Sequence, residues 1–405
     1  MSRLKCLYLF TYEYPFAKRE GFTGDELVYI AKRFDTVYVV PEKVSDETSR
    51  RKMPDNCIVL TSNKKKRNRL IYYINGLFSF RTIGLVCQDF FFNRVYNDKI
   101  KLKNWVSSTF RLNNLLHDSL YKNIEKQLDR NDVCYYYWGV GRNVLSIFWN
   151  KKAHTISRFH GDWDLWEDSY HGYVPFRKAT ATSLDAAVFI SQKGENYFKQ
   201  RYPCCKTAVF PLGSKNCGVG PQKISGEKEI KVVSCSTMWK LKRVDLIFES
   251  LNTVEGYEID WTHICDGPEF EEIKQKVELC KKEHLKANLI GRLNHDDVLK
   301  FYQTHHVDLF INLSSSEGVP VSIMEASSFN IPVLATNVGS TYEAVVKQVG
   351  VLVSPNPTPE EVAGTVVKML NSHYTPRAYW EKHYNAELNY NAFADMLDHL
   401  EYCYE

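Results

Sequence analysis

Residues 307–340 read VDLFINLSSSEGVPVSIMEASSFNIPVLATNVGS, and two apolar runs in this stretch enclose a segment with helical spacing. The first run, VDLFINL, is typical of a strand that is buried on both faces. A helix is predicted from Pro320, which suits a first helical turn, to Phe329, with Asn330 as a left-handed stop before the second strand, IPVLAT. This order of strand, helix and strand predicts a parallel sheet.

The same alternation extends along the whole chain in two successive sets. The second half contains the apolar runs IKVVSCS (230–236) and IDWTHICDG (259–267), and the first half begins with LKCLYLFTY (4–12) and TVYVVPE (36–42). Helix-length segments separate these runs, which is typical of βαβ units. The sequence therefore predicts an α/β protein with two doubly wound, Rossmann-like domains.

Residues 213–229 are rich in glycine, lysine and serine and have no apolar periodicity. They interrupt the alternation of strands and helices, which is typical of a linker. The last part of the chain has aromatic residues at helical spacing and no strand after it. It must pack on a domain already built, and we expect it to return to the first one. The predicted organisation is an N-terminal domain at 1–212, a linker at 213–229, a C-terminal domain at 230–378 and a helical segment at 379–405.

The composition of the 405-residue chain excludes several classes of protein. Its 52 Lys and Arg residues nearly balance 48 Asp and Glu residues, whereas proteins that grip nucleic acid concentrate basic residues, so we expect no nucleic acid partner. The N-terminus lacks a signal-peptide cleavage site, and no apolar run reaches the ~18 residues of a membrane span. The 11 scattered cysteines lack metal-site spacing. They predict reduced thiols, a cytoplasmic location and no bound metal.

Ligands bind open parallel sheets beyond the carboxyl ends of the strands, and the segment EGVPVSIME follows such an end. The free amides of Gly318, Val319 and Val321 at the predicted helix start suit an anion such as phosphate. The carboxylates of Glu317 and Glu325 border the same place and can accept hydrogen bonds from hydroxyl groups. A sugar nucleotide carries both kinds of group; the alternative is a solvated Glu317 and an ordinary acid near a helix start.

The segment EGVPVSIME (317–325), followed by PVLAT and a Val-Gly pair, resembles the nucleotide-sugar site of retaining glycosyltransferases of the GT-B fold, in particular family GT4, the glycosyl transferases group 1. The resemblance covers nearly the whole chain and is most specific over 230–345. It implies two Rossmann-like domains that face each other across a cleft. It also implies that Glu325 holds the ribose hydroxyls, that Glu317 contacts the transferred sugar, and that the amides between them bind the diphosphate.

The segment VVSCSTMWKLKRVDLIFESL (232–251) resembles the family's unit of strand, loop and helix, in which the loop ends on a lysine just before the helix. The resemblance implies that Lys242 neutralises the donor diphosphate and stabilises the charge of the leaving group. Thr237 departs from the pattern, because many relatives have an arginine there. Lys240 or Arg243 is a candidate to replace that cation. The alternative is a solvated basic turn.

The family seats the nucleobase beside a glycine-containing strand end, which LIGRLNHDDVLKFY (289–302) resembles. The resemblance makes Arg292 and Leu293 candidates for the base pocket. No metal is implied, because cationic side chains take the place of an ion at the diphosphate, and the nucleotide sugar is a substrate rather than a cofactor.

The first half contributes two strand-end loops. In SRFHGDWDLWED (157–168), the resemblance implies that His160 contacts the transferred sugar and that Asp162 or Asp164 faces the acceptor hydroxyl. A lone histidine is otherwise more often structural. In EYPFAKREGFTGDEL (13–27), Gly21, with Thr23 and Gly24 beside it, is a candidate for a flexible loop near the donor phosphates.

Residues 64–90 combine a basic run with an apolar, aromatic stretch, KKKRNRLIYYINGLFSFRTIGLVCQDF. Basic residues beside aromatic ones suit an anionic membrane surface and a lipid-linked acceptor; the alternative is a lysine-rich loop that leads into a buried helix. The expected location is the cytoplasm, with peripheral contact at the inner face of the plasma membrane.

The sequence as a whole predicts an enzyme that moves a sugar from a nucleotide to a hydroxyl of a saccharide or lipid-linked acceptor, with retention of anomeric configuration, in surface polysaccharide biosynthesis. Three alternatives stay open. They are a sugar-nucleotide epimerase on the same fold, a non-catalytic nucleotide-binding subunit of a glycosyltransferase, and a scaffold at a membrane surface.

Overall fold

The computed structural model describes residues 5–16, 20–45, 50–62, 69–203, 205–223, 229–280 and 282–400, which form two β-sheets with helices around them. The strands of the first sheet are β1 (Cys6–Thr11), β2 (Thr36–Pro41), β3 (Cys57–Val59), β4 (Val133–Tyr136), β5 (His154–Phe159), β6 (Ala186–Phe189) and β7 (Thr207–Val209). The strands of the second sheet are β8 (Ile230–Cys235), β9 (Ile259–Ile264), β10 (Leu285–Leu289), β11 (Leu309–Asn312), β12 (Val333–Thr336) and β13 (Gly350–Val353).

The α-helices of the described residues follow one another as α1 (Gly21–Ile30), α2 (Arg69–Leu77), α3 (Ile83–Phe92), α4 (Lys99–His117), α5 (Ser119–Gln127), α6 (Ser146–Trp149), α7 (Asp162–Leu165), α8 (Arg177–Ser183), α9 (Gln192–Arg201), α10 (Val244–Thr253), α11 (Phe270–Leu279), α12 (His295–Thr304), α13 (Val321–Ser328), α14 (Thr341–Ala344), α15 (Pro359–Leu370), α16 (Pro376–His383) and α17 (Ala386–Asp398).

Both sheets are doubly wound, as predicted. The first has the strand order β3-β2-β1-β4-β5-β6-β7 and the second has the order β10-β9-β8-β11-β12-β13, with parallel pairing throughout. In each sheet the order reverses beside the first strand, between β1 and β4 and between β8 and β11. The carboxyl ends of the strands at such a reversal are where open α/β sheets bind ligands.

The central strands β4 and β11 are buried along their whole length, at all four residues of each, as expected where helices cover both faces of a sheet. Such strands read as continuous apolar runs, and for that reason the sequence predicts them well. Strand β7 was not predicted, since its three residues are only half-buried and give no apolar run.

The chain divides into two compact units, Met1–Phe210 with Tyr390–Glu405, and Pro211–Asn389. The C-terminal segment forms two helices, α16 and α17, rather than one. Phe393, Ala394 and Leu397 of α17 are fully buried in the apolar core of the first unit, beside Leu7 and Val37 of its sheet. The prediction that the C-terminal helix packs on the first domain is confirmed.

A buried ion pair lies in the same core. The Arg158 guanidinium of β5 and the Glu26 carboxylate of α1 are paired, with side-chain exposures of 0% and 1%. The Tyr135 hydroxyl donates to Glu26 at 2.9 Å, and the guanidinium lies 4.0 Å from the centre of the Phe393 ring. The pair therefore connects the sheet, the first helix and the C-terminal helix.

None of the helices in the described ranges is long and apolar enough to cross a membrane. The nine cysteines that the structure describes are free thiols. Most of the basic run within residues 64–90, at 64–68, lies outside the described residues.

Candidate functional site

Lys242 and Glu317 meet at the strand-order reversal of the second sheet. Lys242 ends a short 3-10 turn after β8, and Glu317 lies in the loop after β11. The Lys242 ammonium donates to Oε1 of Glu317 at 2.6 Å, and the Asn312 side-chain amide donates to the same oxygen at 3.3 Å. The lysine side chain is 23% exposed and the glutamate side chain 8% exposed. The pair is thus largely buried, with part of the lysine side chain still exposed.

Neighbouring segments fix the backbone that carries Glu317. The Thr336 hydroxyl donates to the Ser314 carbonyl at 2.5 Å, and the Ser340 amide donates to the Gly318 carbonyl at 3.1 Å. Gly339 has a positive φ of 53°, and a β-carbon there would lie 1.7 Å from the Glu317 carbonyl oxygen. Only glycine allows the two loops to approach so closely.

Arg243 belongs to the frame of this site rather than to its ligand-binding surface. Its guanidinium donates to the carbonyls of Leu313 at 2.5 Å, Ser314 at 2.8 Å and Pro355 at 2.9 Å. Burial lowers the pKa of the guanidinium. A cation already bound to three carbonyls is unsuited to replace the arginine absent at Thr237. Lys240 is exposed and keeps that candidacy.

Thr237 lies just beyond β8, where its hydroxyl is 3.8 Å from Sγ of Cys265. Below it, the fully buried ring of His263 contacts the Ser234 hydroxyl at 2.8 Å and the Ser236 carbonyl at 3.0 Å. Burial lowers the pKa of His263 to about 4, so the ring is neutral at physiological pH. A neutral ring has a single N–H, which must serve the carbonyl of Ser236 because that oxygen cannot donate.

The start of α13 presents amides beside Glu317. Pro320, with ψ at 121°, caps the helix instead of forming its first turn, so the predicted start was one residue early. No hydrogen bond to the amides of Gly318, Val319 or Val321 occurs in the described part of the chain. Gly318 and Val321 are half-buried, and the helix dipole favours an anion at this end.

The end of α13 agrees with the sequence prediction. The last helical residue is Ser328, and Asn330 has a φ of 65°, which is the predicted left-handed conformation. The chain then enters β12, which pairs in parallel with β11. The strand, loop and helix of residues 307–340 thus form the unit predicted from them.

Glu325 is 6% exposed and lies one turn into α13. Its Oε1 is 2.7 Å from Nε2 of His295, which begins α12. His295 was not predicted as a site residue. Its position just after the loop that follows β10 was the only sequence signal for such a role.

The Cys235 thiol lies at the end of β8, near Glu325. Burial, together with the nearby charges of Glu325 and Cys265, raises the pKa of this thiol.

Arg292 and Leu293 lie in the loop between β10 and α12. The Arg292 guanidinium binds the Asp266 carboxylate, with Nε 2.8 Å and a terminal nitrogen 2.6 Å from Oδ1. This hydrogen bond raises the pKa of Arg292. The side chains of Arg292 and Asp266 are exposed, and Leu293 is half-buried. The loop thus carries both charged and apolar side chains, and it leads directly into His295, the partner of Glu325.

In the first unit, His160 follows β5, and Asp164 fixes its loop. The buried Asp164 carboxylate accepts from the amides of His160 at 3.0 Å and Gly161 at 2.9 Å, and it is 3.2 Å from Nδ1 of the His160 ring. With 0% exposure, Asp164 positions this loop rather than presenting an oxygen to an acceptor. Asp162 is the first residue of α7.

Aromatic side chains surround the His160 ring. The ring centre is 4.9 Å from that of Tyr137 and 4.5 Å from that of Trp138, and Trp138 lies 4.7 Å from Trp163. Nε2 of His160 is buried and has no hydrogen-bond partner in the described residues. Trp163 is 45% exposed. The His160 ring stacks on Tyr137, and the tilted indoles of Trp138 and Trp163 extend this aromatic cluster beyond the carboxyl end of β5.

Gly21 is the first residue of α1, directly after Glu20 in a left-handed conformation. The Glu20 carboxylate accepts from the backbone amides of Tyr12 at 3.2 Å, Glu13 at 2.6 Å and Tyr14 at 2.7 Å. An acidic side chain thus fills the amide cluster that follows β1, and Gly21 lies at the edge of this cluster.

Comparison with known proteins adds to this geometry. Residues 221–386 match the family model described as glycosyl transferases group 1. The chain is 30% identical, over 126 residues, to the O-antigen biosynthesis glycosyltransferase WbnH of Escherichia coli; the match covers 31% of this chain and 34% of WbnH. The chain thus spans about a third of the length of this curated relative.

Solved structures resemble nearly the whole chain. The apo form of the lipopolysaccharide outer core galactosyltransferase WaaB has a TM-score of 0.66 at 13% identity, covering 97% of this chain and 99% of WaaB. Anabaena Alr3699/HepE in complex with UDP has a TM-score of 0.63 at 13% identity, with coverage of 97% and 99%. At such identities the likeness shows the fold, and this fold is GT-B.

Proposed function

We propose that the protein is a retaining glycosyltransferase. The premise is that residues 221–386 match the glycosyl transferases group 1 and that the chain has the GT-B fold. It transfers a sugar from a nucleotide to a hydroxyl of a saccharide or lipid-linked saccharide. The assignment to family GT4 is part of the proposal.

The contact between Lys242 and Glu317 beside the amides of α13 carries this proposal. A nucleotide sugar has a diphosphate next to a polyhydroxyl ring. The ammonium of Lys242 and the amides of Gly318, Val319 and Val321 suit the charge of the diphosphate, and the carboxylate of Glu317 can accept hydrogen bonds from the sugar hydroxyls. In the absence of ligand, each charged group neutralises the other, so neither is left unpaired in a largely buried position.

Donor binding then replaces the carboxylate at Lys242 with phosphate oxygens. The bond between the anomeric carbon and the phosphate oxygen breaks, and the acceptor oxygen bonds to the same face of that carbon. The acceptor proton passes to the departing phosphate. Lys242 stabilises the negative charge that develops on the diphosphate, which is the largest kind of catalytic contribution. We propose that this cation serves without a metal ion or other cofactor.

Glu325 holds the ribose hydroxyls in this proposal, and Arg292 and Leu293 border the base. His295 supports the ribose contact, because its Nε2 lies 2.7 Å from the Glu325 carboxylate and keeps that side chain in place. In the first unit, His160 and the indoles beside it contact sugar, with Asp164 positioning the His160 loop. Asp162 is the remaining candidate for the acceptor hydroxyl, and Gly21 for the donor phosphates.

The biological process is proposed from the relatives. WbnH is named for O-antigen biosynthesis and WaaB for the lipopolysaccharide outer core. By analogy, the protein builds a surface polysaccharide from cytoplasmic nucleotide sugars, with peripheral contact at the inner face of the plasma membrane.

Thermal unfolding in the presence of UDP-, GDP-, ADP- and CMP-sugars tests the donor site, because a ligand that binds only the folded protein raises its melting temperature. A donor that stabilises the wild type should not stabilise Glu325→Ala. With an acceptor present, NMR of the product must show the anomeric configuration of the donor. An inverted product would exclude the retaining mechanism, and equal stabilisation of both proteins would exclude the ribose site.

A second candidate is a non-catalytic subunit that binds the donor and supports a partner enzyme. Thr237 favours it, since it stands where many relatives have an arginine, and Arg243 is bound to carbonyls. This candidate predicts donor binding without turnover for any acceptor. An epimerase would instead convert the donor with no acceptor present, and a scaffold would bind no donor.

A further inference from the structure

Helices α2, α3 and the first half of α4 carry a large apolar surface that is exposed in the described part of the chain. Fifteen large apolar side chains between residues 70 and 106 are exposed. Leu77 and Phe80 are the most exposed of them, at 76% and 84%. The exposed residues, called here the apolar surface, are Leu70, Ile71, Tyr72, Tyr73, Ile74, Leu77, Phe78, Phe80, Ile83, Phe91, Phe92, Tyr96, Ile100, Leu102 and Val106.

The apolar surface is unlike the outer face of an ordinary helix. Residues 70–80, LIYYINGLFSF, contain no charged residue, although five consecutive side chains from Leu70 to Ile74 are exposed. A helix on the outside of a protein in water normally turns polar residues outward. Exposed apolar area of this extent marks an interaction site.

Contacts between aromatic rings join the three helices. Tyr72 and Tyr73 of α2 lie 5.2 and 6.1 Å from Phe110 of α4, measured between ring centres. Phe90 of α3 lies 4.9 Å from Trp105 of α4. Gly76 permits this packing, because a β-carbon there would lie 2.2 Å from the Phe110 ring. The apolar side chains are therefore carried by one packed group of helices.

The charges that accompany the apolar surface are mostly positive. Between residues 70 and 111 the basic residues are Arg94, Lys99, Lys101, Lys103 and Arg111, besides Arg81, which is paired with Glu125. Both acidic residues of this stretch make hydrogen bonds within the protein. Asp89 is buried and accepts from the Tyr173 hydroxyl, and Asp98 caps α4 by accepting from two backbone amides. An anionic partner is favoured by this imbalance, since the exposed charges do not repel it.

We propose that the apolar surface docks on a lipid bilayer that contains anionic lipids. Aromatic and aliphatic side chains enter the boundary between headgroups and acyl chains, while the lysines and arginines contact the headgroups. A second copy of this chain would be less favoured, because clustered lysines at an interface between identical surfaces repel one another. The surface extends the predicted contact region past residue 90 to α4, where Lys99 and Lys103 are both exposed.

Sedimentation of the full chain with vesicles tests this proposal. We expect binding to vesicles of phosphatidylcholine and phosphatidylglycerol, with weaker binding to phosphatidylcholine alone and at high salt. The double variant Leu77→Glu/Phe80→Glu should bind at least about tenfold more weakly. Leu279→Glu is the matched control, because Leu279 is 78% exposed but lies in the second unit, and its binding should equal that of the wild type.

Two outcomes would overturn the proposal. One is that the wild type does not bind the mixed vesicles, or that the double variant binds them as well as the wild type does. The other is that light scattering finds a wild-type dimer that the double variant converts to a monomer, with no vesicle binding; the surface would then join two copies. Circular dichroism must show that the variants are folded.

A second variant, Lys99→Glu/Lys103→Glu, keeps the apolar side chains and isolates the electrostatic contribution. It should lose the preference for phosphatidylglycerol. Binding of a soluble nucleotide sugar should be unchanged in all these variants, and Lys242→Ala should bind vesicles normally. A failure of the membrane proposal can thus be distinguished from a failure of the proposed donor site.

Discussion

The ammonium of Lys242 lies 2.6 Å from Oε1 of Glu317, and this contact joins two loops that are 75 residues apart in sequence. Each loop follows a strand at the reversal of the strand order, so the topology of the sheet brings the two charges together. An incoming diphosphate competes with the carboxylate for the ammonium. The contact therefore connects the fold to the proposed chemistry.

Lys242→Ala should lower kcat by about two orders of magnitude or more, because it removes the principal stabiliser of the leaving diphosphate. The rate of sugar transfer at saturating donor measures this effect. Lys368→Ala is the matched control, since it removes an exposed lysine from α15 of the same unit and should leave the rate unchanged. A normal rate in Lys242→Ala would remove this lysine from the mechanism, and a large loss in Lys240→Ala would then transfer the role to Lys240.

Glu325→Ala should chiefly raise KM for the nucleotide sugar, because ribose contacts contribute to the ground state and the transition state alike. His295→Ala should raise KM less, since it removes only the support of the Glu325 carboxylate at 2.7 Å. Steady-state kinetics with varied donor separates KM from kcat. The ribose assignment would be wrong if KM stayed constant while kcat fell in both variants.

Gly339→Ala should disturb the Glu317 loop. The added β-carbon would lie 1.7 Å from the Glu317 carbonyl oxygen, and a displacement of about 1 Å at such a site can cost on the order of 100-fold in rate. Gly364→Ala is the control, because this glycine lies within α15 and a β-carbon added there would meet no atom within 4 Å beyond the adjacent backbone of its own helix. It should stabilise the helix by about 0.5–1 kcal/mol. Equal activity of both variants would show that the loop tolerates the shift.

Parts of the site that lie directly after buried strands were predictable from the sequence. The apolar run before Glu317 predicts a central strand, and the rule that ligands bind beyond strand ends then points to Glu317. Lys242 also follows a predicted strand, but its role came from the resemblance to the family. The helix between Glu317 and β12 was predicted almost to the residue, with Asn330 as its stop. Local periodicity and turn chemistry determine these features, so a single sequence contains them.

The partners of these residues were not predictable, because they depend on tertiary packing. His295 reaches Glu325 from a segment 30 residues away through the packing of α12, and Asn312, although only five residues from Glu317, meets it through the conformation of the loop after β11. A histidine in a polar loop has no sequence signal for such a contact. Asp164 was placed at the acceptor, whereas its complete burial gives it a positioning role, and no spacing rule distinguishes the two.

Acidification should destabilise the protein through His263. Burial lowers its pKa to about 4, from about 6.5 in the unfolded chain, so the unfolded state binds more protons between these values. The stability that the neutral ring contributes is complete above pH 6.5 and is lost as the pH falls toward 4. The loss is on the order of 3 kcal/mol.

Urea unfolding of the wild type and of His263→Gln, which cannot titrate at this position, measures this loss of unfolding free energy. The two proteins should differ in slope between pH 6.5 and 4, and parallel curves would contradict the prediction.

Arg158→Met should destabilise the first unit, because it leaves the Glu26 carboxylate buried at 1% exposure without its counter-charge. Breaking a buried ion pair typically costs about 3–5 kcal/mol. It also removes the guanidinium that lies 4.0 Å from the Phe393 ring centre, so the packing of α17 weakens as well. Thermal unfolding monitored by circular dichroism measures the loss.

The double variant Arg158→Met/Glu26→Gln should recover much of that stability, since no charge from this pair then remains in the core. Arg130→Met, at an exposed arginine, should stay within about 0.5 kcal/mol of the wild type. If the double variant were as unstable as Arg158→Met, the cost would come from lost packing against Phe393 rather than from an unpaired charge. Because α17 joins the core through Phe393, Ala394 and Leu397, Phe393→Ala would then reproduce the whole effect.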